Sequence, residues 1–249
     1  MPELATVQPR IGTVLTLAGA TLAELLAEPF DLIWVDLEHG ALGRLDAQEM
    51  ILGAQAAGTA ALVRLPADAD HVMTAMMDAG ADGIVLADVR DAATAEGAIE
   101  RMLHPPDGTR GWGPRRLTLR RRRHSQGVPD SSVSVQIESA EGVENAAAIA
   151  AVPGIDAIVV GTADLSFSLG SPHDVGSPGM VEAIDTVREA ARAGGVEFGV
   201  AGPIDRLPPG ALAGAGQIIH GTDARICASA VDRAVEQLRI VTSREDDGS

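Results

Sequence analysis

The sequence contains no lysine; all 19 basic residues are arginine. A Schiff base needs a lysine amine, so carbonyl chemistry in this chain must use another electrophile, most simply a metal ion. The single cysteine, Cys227, can form no internal disulfide, in keeping with a reducing compartment. No apolar run approaches the roughly 20 residues that span a bilayer, and the first ten residues lack the basic start and apolar stretch of a secretory signal. These absences predict a cytoplasmic protein with no membrane contact. Positive charge is also scarce, and the formal net charge of -16 opposes nucleic acid and anionic membranes. The exception is a run of four arginines at 120–123. Aromatic residues make up only 2% of the chain and none interleaves with that run, so bases would find no stacking platform. The run is expected to be solvated or to lie between subunits.

What is present has a regular rhythm. Short β-branched runs alternate with Ala-rich stretches of helical period, the pattern of βα units around a parallel sheet. Eight such runs can be counted, at 12–17, 32–37, 61–65, 83–89, 133–137, 157–160, 197–200 and 217–220. Helical stretches fall at 46–57, 68–79, 91–102, 140–151 and 181–193, with Thr21, Asp46, Asp68, Asp91, Ser139 and Thr222 as candidate caps. Eight units in 249 residues predict a closed (β/α)8 barrel over residues 1–243, followed by a disordered polar tail at 244–249. No Gly-x-Gly-x-x-Gly follows the first strand, which removes the main argument for an open doubly wound sheet. Residues 103–129 form a long irregular stretch, and such loops in compact domains are usually functional or disordered.

Barrel enzymes carry their chemistry at the carboxyl ends of the strands. Polar residues accumulate at those positions here. The second strand runs into Asp36-Leu37-Glu38-His39-Gly40, the third reaches Arg64, the fifth ends Gln136-Ile137-Glu138, and the sixth leads into Gly161-Thr162-Ala163-Asp164. Glu138 and Asp164 would meet on one rim, and their hard oxygens suit Mg²⁺ or Mn²⁺. The alternative is that each acid simply caps the following helix. Gln136 shares a strand face with Glu138 by alternation and could hold a bound water or the substrate. His39 is the candidate for proton transfer, with His220 a weaker one; His71, His104, His124 and His173 have no matched partners. Arg64 ends an apolar strand and therefore needs an anion, either Glu38 or a substrate carboxylate.

These segments, together with Val63-Arg64, Pro105-Pro106-Asp107-Gly108-Thr109-Arg110-Gly111-Trp112-Gly113 and Ala163-Asp164-Leu165-Ser166, resemble the HpcH/HpaI class II pyruvate aldolases, including the 2-keto-3-deoxy-sugar-acid and 2,4-dihydroxyhept-2-ene-1,7-dioate enzymes. The resemblance runs from about Ile11 to about Leu238. It implies a TIM barrel of the phosphoenolpyruvate/pyruvate-domain type that cleaves a 4-hydroxy-2-oxo acid to pyruvate and an aldehyde. Glu138 and Asp164 would bind Mg²⁺, Mn²⁺ or a similar ion such as Co²⁺, which chelates pyruvate and supports its enolate. Arg64 would hold the keto oxygen, Gln136 and the backbone at Gly161, Thr162 and Ala163 would place the carboxylate, and His39 would act as acid and base. The family pairs that histidine with an aspartate at the position of Asp78 across a subunit boundary, implying a homo-oligomer, commonly a hexamer or trimer of dimers. Thr162 stands where the family has proline, and the segments 114–132 and beyond Leu169 are short. The rival readings are other enolate chemistry on the same site, namely an oxaloacetate decarboxylase, a citrate- or malyl-CoA-type lyase or a ring-forming enzyme, and a barrel that binds without turnover.

Overall fold

The computed structural model describes residues 8–113, 116 and 131–246. Eight parallel strands close into one barrel in sequence order. They are β1 (Arg10–Leu15), β2 (Leu32–Asp36), β3 (Ala60–Pro66), β4 (Gly83–Ala87), β5 (Ser132–Ile137), β6 (Ala157–Gly161), β7 (Glu197–Gly202) and β8 (Gln217–Thr222). All eight expected strands are present, and β8 pairs with β1 to complete the ring. The arginine run at 120–123 lies outside the described residues.

Alternation along each strand divides the apolar residues between two cores. Val14, Leu32, Trp34, Leu62, Val85, Val159, Ala201 and Ile219 fill the barrel interior. Their neighbours Ile33, Val35, Val63, Ile84, Val135, Ile158 and Val200 face outward into the layer beneath the helices. A period of two makes this division, and it leaves one inward position at each strand's carboxyl end for something polar. Asp36, Arg64 and Gln136 occupy such positions, with Glu138 immediately beyond β5.

The outer layer comprises α1 (Ala20–Ala27), α2 (Arg44–Ala56), α3 (Asp70–Asp78), α4 (Ala92–Met102), α5 (Ala140–Glu144), α6 (Ala146–Ala150), α7 (Thr162–Ser168), α8 (Pro178–Gly194) and α9 (Asp223–Asp246). Helix α8 shows how local sequence and packing agree. Ser177 accepts from the Met180 amide at 3.3 Å, Pro178 takes the first helical position, and Gly195 ends the helix at φ 71°. Met180, Ala183, Ile184, Val187 and Ala191 form its buried stripe, and each large aliphatic side chain there contributes about 1.5–3 kcal/mol.

The expected helix at 140–151 is divided. Asn145 leaves helical geometry at φ -93° and ψ 1°, while its side chain donates to the Arg90 carbonyl at 2.8 Å; Asn offers the backbone this kind of alternative. Asp91 and Ser139 cap as expected, accepting from Thr94 N at 2.7 Å and Gly142 N at 3.2 Å, and Thr222 accepts from Arg225 N at 3.3 Å. Asp46 sits three residues into α2 and accepts from the Gly43 amide at 2.8 Å. The residues before α1 and α3 are Gly19 and Ala69 rather than Thr21 and Asp68.

Helix α9 departs from the barrel wall. Asp223 anchors its start, accepting from Thr16 N, Thr16 Oγ1 and Leu17 N at 2.7–2.9 Å. Beyond Ala230 every described side chain is exposed, including Val231, Val235, Leu238 and Val241. Among the described residues no helix is long and apolar enough to cross a membrane.

Candidate active site

A cavity of about 360 Å³ opens at the carboxyl ends of the strands. Its walls include Trp34, His39, Arg64, Gln136, Glu138, Gly161, Ala163 and Asp164. Strands β2, β3, β5 and β6 and the segments that follow them thus deliver to one place most of the residues singled out in the sequence. Asp78 is not among them. It ends α3, which returns toward the amino end of the barrel, and it pairs there with Arg110 at 2.5 Å.

The expected anion for Arg64 was Glu38 or a substrate carboxylate; the structure adds a closer one. Asp36 takes the guanidinium in a fork, with Nε to Oδ1 at 3.1 Å and Nη2 to Oδ2 at 2.8 Å, and Glu38 stands 3.4 Å from Nε. Register explains this, because Asp36 and Arg64 are paired across β2 and β3, a relation invisible in either strand alone. Burial opposes the Arg64 charge, but the bond to Asp36 and the charges of Asp36, Glu38 and Glu138 outweigh it, so its pKa is raised. Asp36 also accepts from the amides of Glu38 and His39 at 3.1 and 3.3 Å, shaping the turn that carries the histidine. His39 itself is exposed, with Nε2 3.7 Å from Glu38.

Glu138 does not cap a helix; Ser139 does that. Its Oε1 accepts from the Asp88 amide at 2.9 Å and its Oε2 from Gln136 Nε2. Gly161 makes this arrangement possible. A Cβ there would lie 2.6 Å from Glu138 Oε2 and against the Gln136 amide. Asp164 likewise caps nothing, since α7 has no side-chain cap bond. Thr162 donates to the Ala201 carbonyl at 3.0 Å and ties β6 to β7.

The electrostatics favour a cation. Burial raises the Glu138 pKa first, the charges of Glu38 and Asp164 next, and it is pushed up to about 8 despite Arg64 and the Asp88 amide. Glu38 is raised as well, by burial foremost, then by Asp36 and Asp164 against Arg64 and His39. Carboxylates crowded this way repel one another unless positive charge lies between them. Among the described residues no group of three or more His, Cys, Asp or Glu side chains is placed to hold a metal ion; Glu138 and Asp164 are two hard oxygen donors lining one cavity. That suits ions that keep positions for water and substrate oxygens. Trp34 Nε1 and Gln136 Oε1 are buried without hydrogen-bond partners among the described residues; such atoms mark where a polar ligand or water belongs.

Residues 10–230 match the HpcH/HpaI aldolase/citrate lyase family model. The chain belongs to this family. It is 34% identical over 233 residues to a 4-hydroxy-2-oxovalerate aldolase of Rhodococcus jostii, covering 90% of each chain. It is 35% identical over 181 residues to a 4-hydroxy-4-methyl-2-oxoglutarate aldolase of Chaetomium globosum, covering 70% of this chain and 67% of the other. A crystal structure of a family member from Burkholderia cenocepacia superposes with a TM-score of 0.83 at 28% identity, covering 94% and 96% of the two chains.

Three residues at the same cavity were not singled out in the sequence. Arg206, Arg225 and His173 line it. His173 had no matched partner in the sequence, and its position comes from a bend at φ 64° with its ring edge-on to Phe167. Arg225 had one legible signal, its place five residues after the end of an expected strand; Arg206 had none.

Proposed function

We propose that this chain is a divalent-metal-dependent aldolase that reversibly cleaves a 4-hydroxy-2-oxo acid to pyruvate and an aldehyde. The observation that carries the proposal is the meeting of Glu138 and Asp164 beside the charged fork of Arg64, in a chain with no lysine. Glu138 and Asp164 would hold Mg²⁺, Mn²⁺ or Co²⁺, and a bound ion would supply Lewis acidity at the 2-oxo acid.

The chain's own groups supply the rest. Arg64, kept charged and aimed inward by Asp36, donates to the keto oxygen and stabilises the negative charge that develops there. The backbone at Gly161, Thr162 and Ala163 sets the position of the acid, while the free Oε1 of Gln136 can accept from a bound water beside it. His39 moves the proton at the aldehyde oxygen through Nε2, taking it from the 4-hydroxyl in cleavage and returning it in synthesis. Trp34 closes the floor of the cavity against water from the barrel interior.

We further propose that the protein is a cytoplasmic homo-oligomer. The exposed apolar stripe of α9, spaced at Val231, Val235, Leu238 and Val241, is a face that a second copy would cover. Asp78 would act on His39 only from such a neighbour.

Pyruvate incubated with the protein in deuterated water tests the function. Exchange of the methyl protons is expected with Mn²⁺ or Mg²⁺ and is lost on chelation. Exchange that persists after exhaustive removal of metal refutes the metal requirement, and absence of exchange under any metal refutes the aldolase reading.

A further inference from the structure

The loop between β4 and α4 contains a conformational exception. Asp88 has φ 46°, a left-handed backbone that strains any residue with a Cβ and that Asp and Asn tolerate best. Among the described residues His173 is the only other non-glycine with a positive φ. The use of this conformation is visible at the end of β5. The Asp88 amide donates to Glu138 Oε1 at 2.9 Å, and the next amide, that of Val89, donates to the Gln136 carbonyl at 3.1 Å. Two successive N–H groups of one loop thus hold both the carboxylate and the backbone of the strand that carries it.

Strain of this kind persists only where the surroundings impose it. Asp88 Oδ2 accepts from Arg90 Nε and Nη2 at 2.9 and 2.6 Å, but this ion pair is largely exposed, and such pairs contribute little. The firmer hold is on the backbone of Arg90. Asn145 Nδ2 donates to the Arg90 carbonyl at 2.8 Å from the point where α5 gives way to α6. Gly142 lets α5 come this near, because a Cβ there would lie 2.9 Å from the Val89 carbonyl oxygen. The break in the expected helix at 140–151 and the left-handed residue at 88 therefore belong to one contact.

We infer that Asp88 is a positioning residue for the metal pair: its left-handed backbone, braced by Asn145 and Arg90, fixes Glu138 in its orientation at the cavity shared with Asp164. The inference rests on the reading of Glu138 as a metal ligand. A glutamate side chain loses much torsional freedom on being ordered. With Oε1 held by the Asp88 amide and Oε2 by Gln136, that loss precedes arrival of the ion, and a ligand fixed beforehand binds more tightly. The Asp88 carboxylate is turned to Arg90; what reaches Glu138 is the Asp88 amide.

Mn²⁺ affinity measured by calorimetry on the full chain tests this, with thermal unfolding recorded for each variant. Asp88→Val puts a β-branched residue where φ must be positive. It should weaken Mn²⁺ binding about tenfold or more, the worth of one hydrogen bond to a charged group. Asp88→Ala, the milder change, should weaken binding severalfold and carries the test if Asp88→Val does not fold. Asp88→Gly and Asp88→Asn remove the negative charge but still allow the left-handed backbone, and both should stay within about threefold of the wild type. If Asp88→Val and Asp88→Ala lose thermal stability yet bind Mn²⁺ like the wild type, the role is merely structural and the inference is overturned. If Asp88→Gly and Asp88→Asn bind as weakly as Asp88→Val, the carboxylate rather than the backbone matters, which also overturns it. A wild type that binds no Mn²⁺ refutes the metal reading and this inference with it, whereas wild-type binding with indifferent variants refutes the inference alone.

Discussion

Replacing Glu138 by glutamine separates the volume of this side chain from its charge. The carboxyl has an ordinary value of 4.5 and is pushed up to about 8 in the folded chain, by burial and by the negative charges of Glu38 and Asp164. A carboxyl whose folded pKa lies above its unfolded value stabilises the fold only while protonated. That stability is fully present below pH 4.5 and is lost as pH rises through about 8. Within this window the metal-free protein loses about 1.4 kcal/mol per pH unit, on the order of 4–5 kcal/mol in all. Because Glu38 is raised too, the loss belongs to the carboxylate cluster rather than to one oxygen pair. Glutamine keeps the shape and can still accept from the Asp88 amide, while Gln136 can turn its unpartnered Oε1 toward the new amide group. Urea unfolding in chelator from pH 5 to 9 should therefore show wild-type stability falling with pH. Glu138→Gln should stay closer to level and exceed the wild type by a few kcal/mol near pH 8. Adding Mn²⁺ should rescue the wild type and leave the variant unchanged. Taking the difference between the two profiles cancels the other titrating groups. Parallel profiles, or a variant less stable at every pH, would refute the reasoning.

Other substitutions probe the supports of the site. Asp36→Ala removes both acceptors of a nearly buried guanidinium, and unfolding experiments should show a loss of about 3–5 kcal/mol together with loss of pyruvate exchange. Gly161→Ala drives a methyl group against Glu138 and Gln136; a cost of about 1–3 kcal/mol is expected, with Mn²⁺ affinity measured by calorimetry falling far more than thermal stability. Ser177→Ala, remote from the cavity, should lower stability by about 1 kcal/mol through the lost cap of α8 and leave turnover unaltered. Substituting Val235 and Leu238 with Asp should reduce the oligomer measured by light scattering; an unchanged mass would show that α9 is not the interface.

Much of this protein is legible without coordinates, for a reason particular to barrels. Each strand is short, apolar and followed by its own helix, so the eight runs announce themselves locally, and the rule that polar residues at strand ends face the mouth converts a linear list into a rim. Arg64, Gln136, Glu138 and Asp164 follow from that rule alone. The absence of lysine likewise needs no structure to exclude a Schiff base. What depends on neighbouring strands does not follow. The fork between Arg64 and Asp36 exists because β2 and β3 pair in one particular register, and alternation within a single strand cannot supply it. Gly161 clears space for a pair of side chains that belong to β5. Arg206 and Arg225 are charged residues on surface segments that any sequence contains. Only closure of the barrel sets them around the same cavity as Glu138, because it brings the loops after β7 and β8 within reach of those after β5 and β6. Composition and periodicity therefore determined the fold, the rim and the exclusion of lysine chemistry, since these depend on local sequence. The partners and charge balance of the site were decided by tertiary structure, since electrostatic energy depends on distances between segments far apart in the chain.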